Sequence, residues 1–135
     1  MKTIAIVADD KIGLLADISY VLAKSKINIE SLSVDVVGNK AIITMNLSDI
    51  VKGKECVESA GYKVEDPAAI IVKMKDQPGE LSNVTAMLSK EGVSIINAKV
   101  LAKDGTTTIL GMITDKPKKA AVLLKPYLVM NEVGP

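Results

Sequence analysis

The chain has no histidine, arginine, tryptophan or phenylalanine, and it has a single cysteine. Without histidine there is no imidazole general base, no imidazole metal ligand and no Ser-His or Cys-His nucleophile pair. Without arginine there is no bidentate fork to hold a phosphate, which argues against an acylphosphatase-like enzyme. Three tyrosines make up the whole aromatic content, too little for the stacking platforms on which RNA-recognition modules seat bases. A net charge of +1, with acids and lysines interspersed, leaves no electrostatic footprint for nucleic acid. Cys56 alone cannot close an internal disulfide or supply a Cys-x-x-Cys metal site, and it fits a reducing cytoplasm. The longest apolar stretches, such as Ile4 to Ala8, are too short to span a bilayer, and Asp9 and Asp10 follow where a signal-peptide cleavage site would be needed. These absences lead us to expect a cytoplasmic protein with no catalytic residues, metal or cofactor, and with neither nucleic acid nor membrane as a partner.

What is present is one unit written twice. Displaced by sixty-six positions, Asp10-Lys11-Ile12-Gly13-Leu14-Leu15 falls on Asp76-Gln77-Pro78-Gly79-Glu80-Leu81, and the match runs without a gap until Asp49 meets Asp115. The same offset pairs Ile4 with Ile70, Leu22 with Leu88, Ile29 with Ile95 and Ile43 with Ile109. A repeat of this kind sets the architecture on which local motifs sit. It divides the chain into residues 1–66 and 69–135, joined by Asp66-Pro67-Ala68. Each half is small for a domain standing alone, so the halves are expected to pack side by side.

Within the first half, Thr3 to Ala8 reads as a strand, and Leu14, Leu15, Ile18, Val21 and Leu22 recur at helical spacing as far as Lys26. Alternation over Glu30 to Val37 predicts a half-buried strand, and Gly38-Asn39 turns it into a second one over Lys40 to Leu47. Ser48 or Asp49 is placed to cap a helix that Gly61 ends, before a fourth strand over Tyr62 to Glu65. The second half repeats the order, with Asp104-Gly105 as its hairpin turn, Asp115 and Pro117 opening its last helix, and Tyr127 to Val133 as its last strand. The fold expected is α+β: two ferredoxin-like β-α-β-β-α-β units with antiparallel sheets and the helices on one face.

The Asp76-Gln77-Pro78-Gly79-Glu80-Leu81 turn follows a strand and opens an amphipathic helix. With Val93-Ser94-Ile95 beyond it, it resembles the signature of the ACT domain family. The first copy resembles it too: Asp10-Lys11-Ile12-Gly13-Leu14-Leu15 lacks the proline, but Asn28-Ile29 matches the family's Asn-Ile pair. The stretch Asn28 to Leu32 resembles the ACT regulatory subunits of branched-chain amino acid synthesis. The resemblance covers nearly the whole chain as two copies and implies a regulatory module that binds a small molecule, typically an amino acid. In that family the ligand lies at the first strand-to-helix turn, often between two such domains.

The chemistry of the turn is compatible. A glycine lets backbone approach a ligand, and amides at a helix N-terminus favour a carboxylate. Asp10 or Asp76 could accept from an ammonium, and the Asn28 amide could both donate and accept. The expected ligand-binding set is therefore Asp10, Lys11, Ile12, Gly13, Leu14, Leu15, Asn28 and Ile29 in the first copy. In the second it is Asp76, Gln77, Pro78, Gly79, Glu80, Leu81, Ser94 and Ile95, with Ser94 shorter than Asn28. Taken alone an Asp-x-Pro-Gly stretch is ordinary turn chemistry.

Cys56 reads as a small packed hydrophobe, Lys116, Lys118 and Lys119 as a solvated surface, and Gly111, opposite Met45 in the repeat, as a point of close packing. If the helices cover Leu32, Val34, Ile43 and Ile109, then Leu101, Leu110 and Met112 form an exposed apolar patch suited to a homodimer. The function expected is a tandem ACT sensor of an amino acid that modulates a partner enzyme or transcriptional regulator. The alternatives are a regulatory subunit of an acetolactate synthase-like enzyme and an interaction module without a ligand.

Overall fold

The computed structural model describes residues 3–129, divided into two compact units, Met1–Pro67 and Ala68–Pro135. The first unit has the order β1 (Thr3–Asp9), α1 (Leu14–Lys24), β2 (Ile29–Val37), β3 (Lys40–Leu47), α2 (Ile50–Ser59) and β4 (Lys63–Val64). Its antiparallel sheet has the strand order β2-β3-β1-β4, which leaves β2 at an edge. Leu14, Ile18 and Leu22 recur every fourth residue, so α1 lays one stripe on Ile4, Ile6, Ala41, Ile43 and Met45, the alternate residues on one face of β1 and β3. Val57 of α2 joins the same cluster, which places both helices on one face. The Asp49 carboxylate accepts from the Lys52 amide at 3.0 Å and caps α2. Ser48 has another role: its Oγ accepts from the Asn28 amide at 2.9 Å.

The second unit runs β5 (Ile70–Lys75), α3 (Glu80–Lys90), β6 (Ile95–Lys103), β7 (Thr107–Thr114) and α4 (Pro117–Leu123), with sheet order β5-β7-β6. Its core joins Val72, Met74, Val84, Leu88, Leu110, Met112, Ala120 and Leu124. The strand expected over Tyr127 to Val133 does not form at its start, because Lys125–Tyr127 is a 3-10 turn with Pro126 early in it. Leu128 makes an isolated bridge to Val72. The remainder of that expected strand lies outside the described residues.

The two units do not keep one offset. Ile6 pairs with Ile43 in β1–β3, and its repeat mate Val72 pairs with Leu110, so beyond β6 the offset is sixty-seven. The extra residue is Leu101, bulged out of β6 between Val100, paired with Leu110, and Ala102, paired with Ile109. One residue in a strand exchanges its faces. Leu110 and Met112 therefore belong to the core under the helices, and the apolar patch expected from them is not there. Ile109 lies on the other face and is fully buried, and the Leu101 side chain lies across Gly111, where an added Cβ would sit 3.3 Å from Leu101 Cδ1. The same shift makes Lys116, not Asp115, the N-cap of α4, while Asp115 Oδ1 accepts from the Ser94 amide at 2.8 Å. Asp115 is thus the counterpart of Ser48.

A further exchange follows the new offset. Gly53 and Ala120 each donate a helical hydrogen bond to the N-cap carbonyl, Asp49 at 3.0 Å and Lys116 at 2.9 Å. A Cβ on Gly53 would stand 2.3 Å from Leu47 Cδ1. In the second unit residue 120 has that Cβ, and the residue at the Leu47 position is the smaller Thr114.

Candidate functional site

Each unit leaves its first strand through the same tight turn. The Asp10 amide donates to the Asn39 carbonyl and the Asp76 amide to the Thr106 carbonyl, both at 2.9 Å, which ties the turn to the tip of the neighbouring hairpin. The chain then closes on itself, Leu14 N–H to Lys11 O at 3.3 Å and Glu80 N–H to Gln77 O at 3.2 Å, before the helix starts. Gly13 and Gly79 are the N-caps, at φ +86° and +87°, a left-handed conformation that a side chain disfavours. Among the described residues neither helix start has a side-chain cap, and a Cβ at either glycine would meet none of their atoms within 4 Å. The turns thus present helix amides without a side chain of their own in front of them.

Exposure divides the candidate residues. Asp10, Lys11, Ile12 and Gly13 are exposed, Leu14 is buried in the core and Leu15 is half-buried against it. In the second turn Gln77, Pro78, Gly79 and Leu81 are exposed, while Asp76 and Glu80 are half-buried. Ile29 and Ile95 are half-buried and pack against their cores. Asn28 and Ser94 are exposed. Their backbone is held by the bonds to Ser48 and Asp115, and among the described residues the Asn28 side-chain amide has no hydrogen-bond partner.

Register separates Asn28 from its own turn. Asp9 at the end of β1 faces Lys40, whereas Ile29 at the start of β2 faces Leu47. Those positions are seven residue steps apart along β3, roughly 24 Å. Ser94 stands in the same relation to Asp76, since Lys75 faces Thr107 and Ile95 faces Thr114. Within one unit the structure brings the turn residues together and leaves the strand-start residue at the far end of the sheet.

Several residues that sequence reading passed over shape the first turn. Lys40 Nζ donates to Asp9 Oδ1 at 2.6 Å, and this hydrogen bond, with the ammonium charge, holds the Asp9 carboxyl below its ordinary range. The Tyr62 hydroxyl donates to Asp17 Oδ2 in the first turn of α1, and that bond, with partial burial and the carboxylate charge, raises the Tyr62 phenol above its ordinary range. Lys11 Nζ lies 6.0 Å from the centre of the Tyr62 ring. In the second turn Lys103 Nζ lies 3.3 Å from Asp76 Oδ1. Strand register brings Lys40 to Asp9, and the packing of α1 beside the segment before β4 brings Asp17 to Tyr62. Elsewhere, Lys116 Nζ donates to the Gly92 carbonyl at 2.8 Å, and Cys56 Sγ donates to Ser25 Oγ at 3.1 Å between α2 and α1. Among the described residues no helix is long and apolar enough to cross a membrane.

The edge strand β2 carries Leu32, Val34 and Val36 on the helix side of the sheet, 43%, 45% and 52% exposed. They extend the face of Met45, Ile43 and Ala41 past the cover of the helices.

Three comparisons bear on this architecture. Over 99% of its length the chain is similar to a protein of known structure from Bacteroides thetaiotaomicron, at 22% identity and a TM-score of 0.51 with 96% of that chain covered, and the two share a fold. It is also similar to the regulatory subunit of aspartate kinase from Thermus thermophilus (13% identity, 92% and 90% covered, TM-score 0.45). A third similarity is to the acetolactate synthase small subunit from Thermotoga maritima (14% identity, 93% and 84% covered, TM-score 0.41). A search of curated proteins gave no match. The family model of the ACT domain matches residues 2–53, the stretch that contains the first turn, Asn28 and the β2–β3 hairpin. That stretch of the first unit thus resembles an ACT domain.

Proposed function

We propose that the chain is a tandem ACT regulator that binds an amino acid at the β1–α1 turn and passes its occupancy to an enzyme or transcriptional regulator of amino acid metabolism. The observation that carries this reading is the Gly13 N-cap at φ +86° in the matched stretch, a helix start that among the described residues has no side-chain cap, beside the exposed carboxylate of Asp10, for which no ion-pair partner is found among them. Helix amides suit a carboxylate and Asp10 suits an ammonium, so the two charges of one amino acid find opposite partners. The second unit, with the same turn and the same element order as far as α4, is read as a second ACT domain.

The separation of Asn28 from its own turn supports an assembly of two units. If β2 pairs antiparallel with the β2 edge of another copy, the start of one strand lies beside the end of the other. That pairing carries Asn28 toward the partner's turn and covers Leu32, Val34 and Val36. A homodimer is therefore part of the reading.

Screening the twenty proteinogenic amino acids by thermal shift tests it. An amino acid at a hundred times its dissociation constant should stabilise the fold by about 2.7 kcal/mol, and Asn28→Ala should weaken its binding by about 1–3 kcal/mol. A protein that stays monomeric at high concentration and is stabilised by none of the twenty would sink the proposal. A dimer stabilised by none would favour the interaction module without a ligand, for which the exposed stripe on β2 already speaks.

A further inference from the structure

The two turns share a backbone and differ in charge. Lys103 Nζ lies 3.3 Å from Asp76 Oδ1, and the Asp76 side chain keeps only 18% of its exposure. Asp10 is exposed, and among the described residues no cation is paired with it; the lysine nearest in register, Lys40, is held by Asp9.

The origin of the difference is the extra residue in β6. Lys103 pairs with Thr108 as Val36 pairs with Ala41, so the bulge at Leu101 sets a lysine on the helix side of the sheet where the first unit has a valine. A valine there offers nothing to a carboxylate. A lysine reaches the end of β5 and pairs with the Asp76 carboxylate.

We propose that Lys103 is an internal occupant of the second turn, standing where an amino acid's ammonium stands in the first, so that the chain carries one open turn and one that closes itself. This rests on the amino acid reading above. An ammonium arriving at Asp76 must displace a tethered lysine and leave that charge without its partner, whereas one arriving at Asp10 displaces water. Lys103 is on this account the residue that decides which unit senses, and the second turn serves as a fixed copy of the occupied state.

The test follows the Gly13 and Gly79 amides by two-dimensional NMR while the full chain is titrated with each of the twenty proteinogenic amino acids, with calorimetry to count sites. For any amino acid that binds, Gly13 should shift and Gly79 should stay, with one site per chain. Asp10→Asn should weaken binding by about tenfold or more, and Asp76→Asn by less than about twofold. Lys103→Gln, at an exposed position, should make Gly79 respond as well and raise the count to two. Circular dichroism checks that each variant is folded. The inference is overturned if Gly79 responds in the unaltered chain, or if Lys103→Gln leaves Gly79 silent while Gly13 still responds. If neither glycine responds to any amino acid in either chain, the amino acid reading itself fails and takes this one with it.

Discussion

The first unit closes its core with a leucine over a glycine, Leu47 above Gly53, and the second with a threonine and an alanine, Thr114 and Ala120. Both solutions fill the space between the end of the third strand and the first turn of the helix after it. They differ in chemistry, because Thr114 brings a buried hydroxyl, without a partner among the described residues, to a position where the first unit has the all-carbon side chain of Leu47. The lesson is that a repeat conserves volume and spacing more strictly than residue type. The edge strands differ in the same spirit: β2 carries three exposed branched residues on its helix side, while β6, past its bulge, carries a lysine there.

The comparison can be broken most severely through its register. Leu110 is 5% exposed and belongs to the second core, so Leu110→Lys should unfold that unit or cost more than about 3 kcal/mol in chemical denaturation. Val100→Lys, its partner across the pair but 57% exposed, should change stability by less than about 0.5 kcal/mol. Equal effects would mean that the bulge is misplaced.

Next in size come the two turn glycines. At φ +86° and +87°, Gly13→Val and Gly79→Val should each cost about 1–3 kcal/mol through backbone strain, with no contribution from a clash. Gly13→Asn should cost clearly less than Gly13→Val, since asparagine tolerates the left-handed region. If valine and asparagine prove equally damaging, the cause is lost contact and not backbone conformation.

The packing exchange sets two terms of opposite sign against each other. Gly53→Ala gains roughly 1 kcal/mol of helix propensity and loses about 1–3 kcal/mol to overpacking against Leu47, for a net loss on the order of 1 kcal/mol. Combining it with Leu47→Val should recover most of that loss, a coupling that a double-mutant cycle reads directly. Additive effects would show that residues 47 and 53 do not share the space.

The smallest effect separates the units by pH. The Tyr62 phenol is raised by its hydrogen bond to Asp17, so its contribution to stability is complete below the ordinary phenol range and is lost as pH rises through the folded-state value. Ultraviolet titration should show one phenol ionising late, and Asp17→Asn should return it to the ordinary range and flatten the alkaline limb of stability. A late phenol that persists in Asp17→Asn would contradict the assignment.

Much of this was legible in the residues. Leu14, Ile18 and Leu22 announced α1, the paired Gly13 and Gly79 marked the turns, and Gly38-Asn39 placed the first hairpin. The bulge was hidden because Asp104-Gly105 and Asp115 each matched a plausible partner at the ungapped offset, and one residue of error in a strand turns every later side chain to the wrong face. That error sent Leu110 and Met112 to the surface and made Asp115 a helix cap. The distance between Asn28 and Gly13 was hidden for a different reason: a shared motif says which residues recur, but only strand register says which end of the sheet they occupy.

The leucine-glycine and threonine-alanine pairs also bear on how two like units fold on one chain. Neighbouring repeats can trade hairpins during folding, and a traded hairpin makes most of the right hydrogen bonds. Here β3 laid under α4 would drive Leu47 against Ala120, and β7 laid under α2 would leave Thr114 over the hollow at Gly53. Each hairpin therefore fits under its own helix and poorly under the other, so the difference between the repeats opposes their exchange.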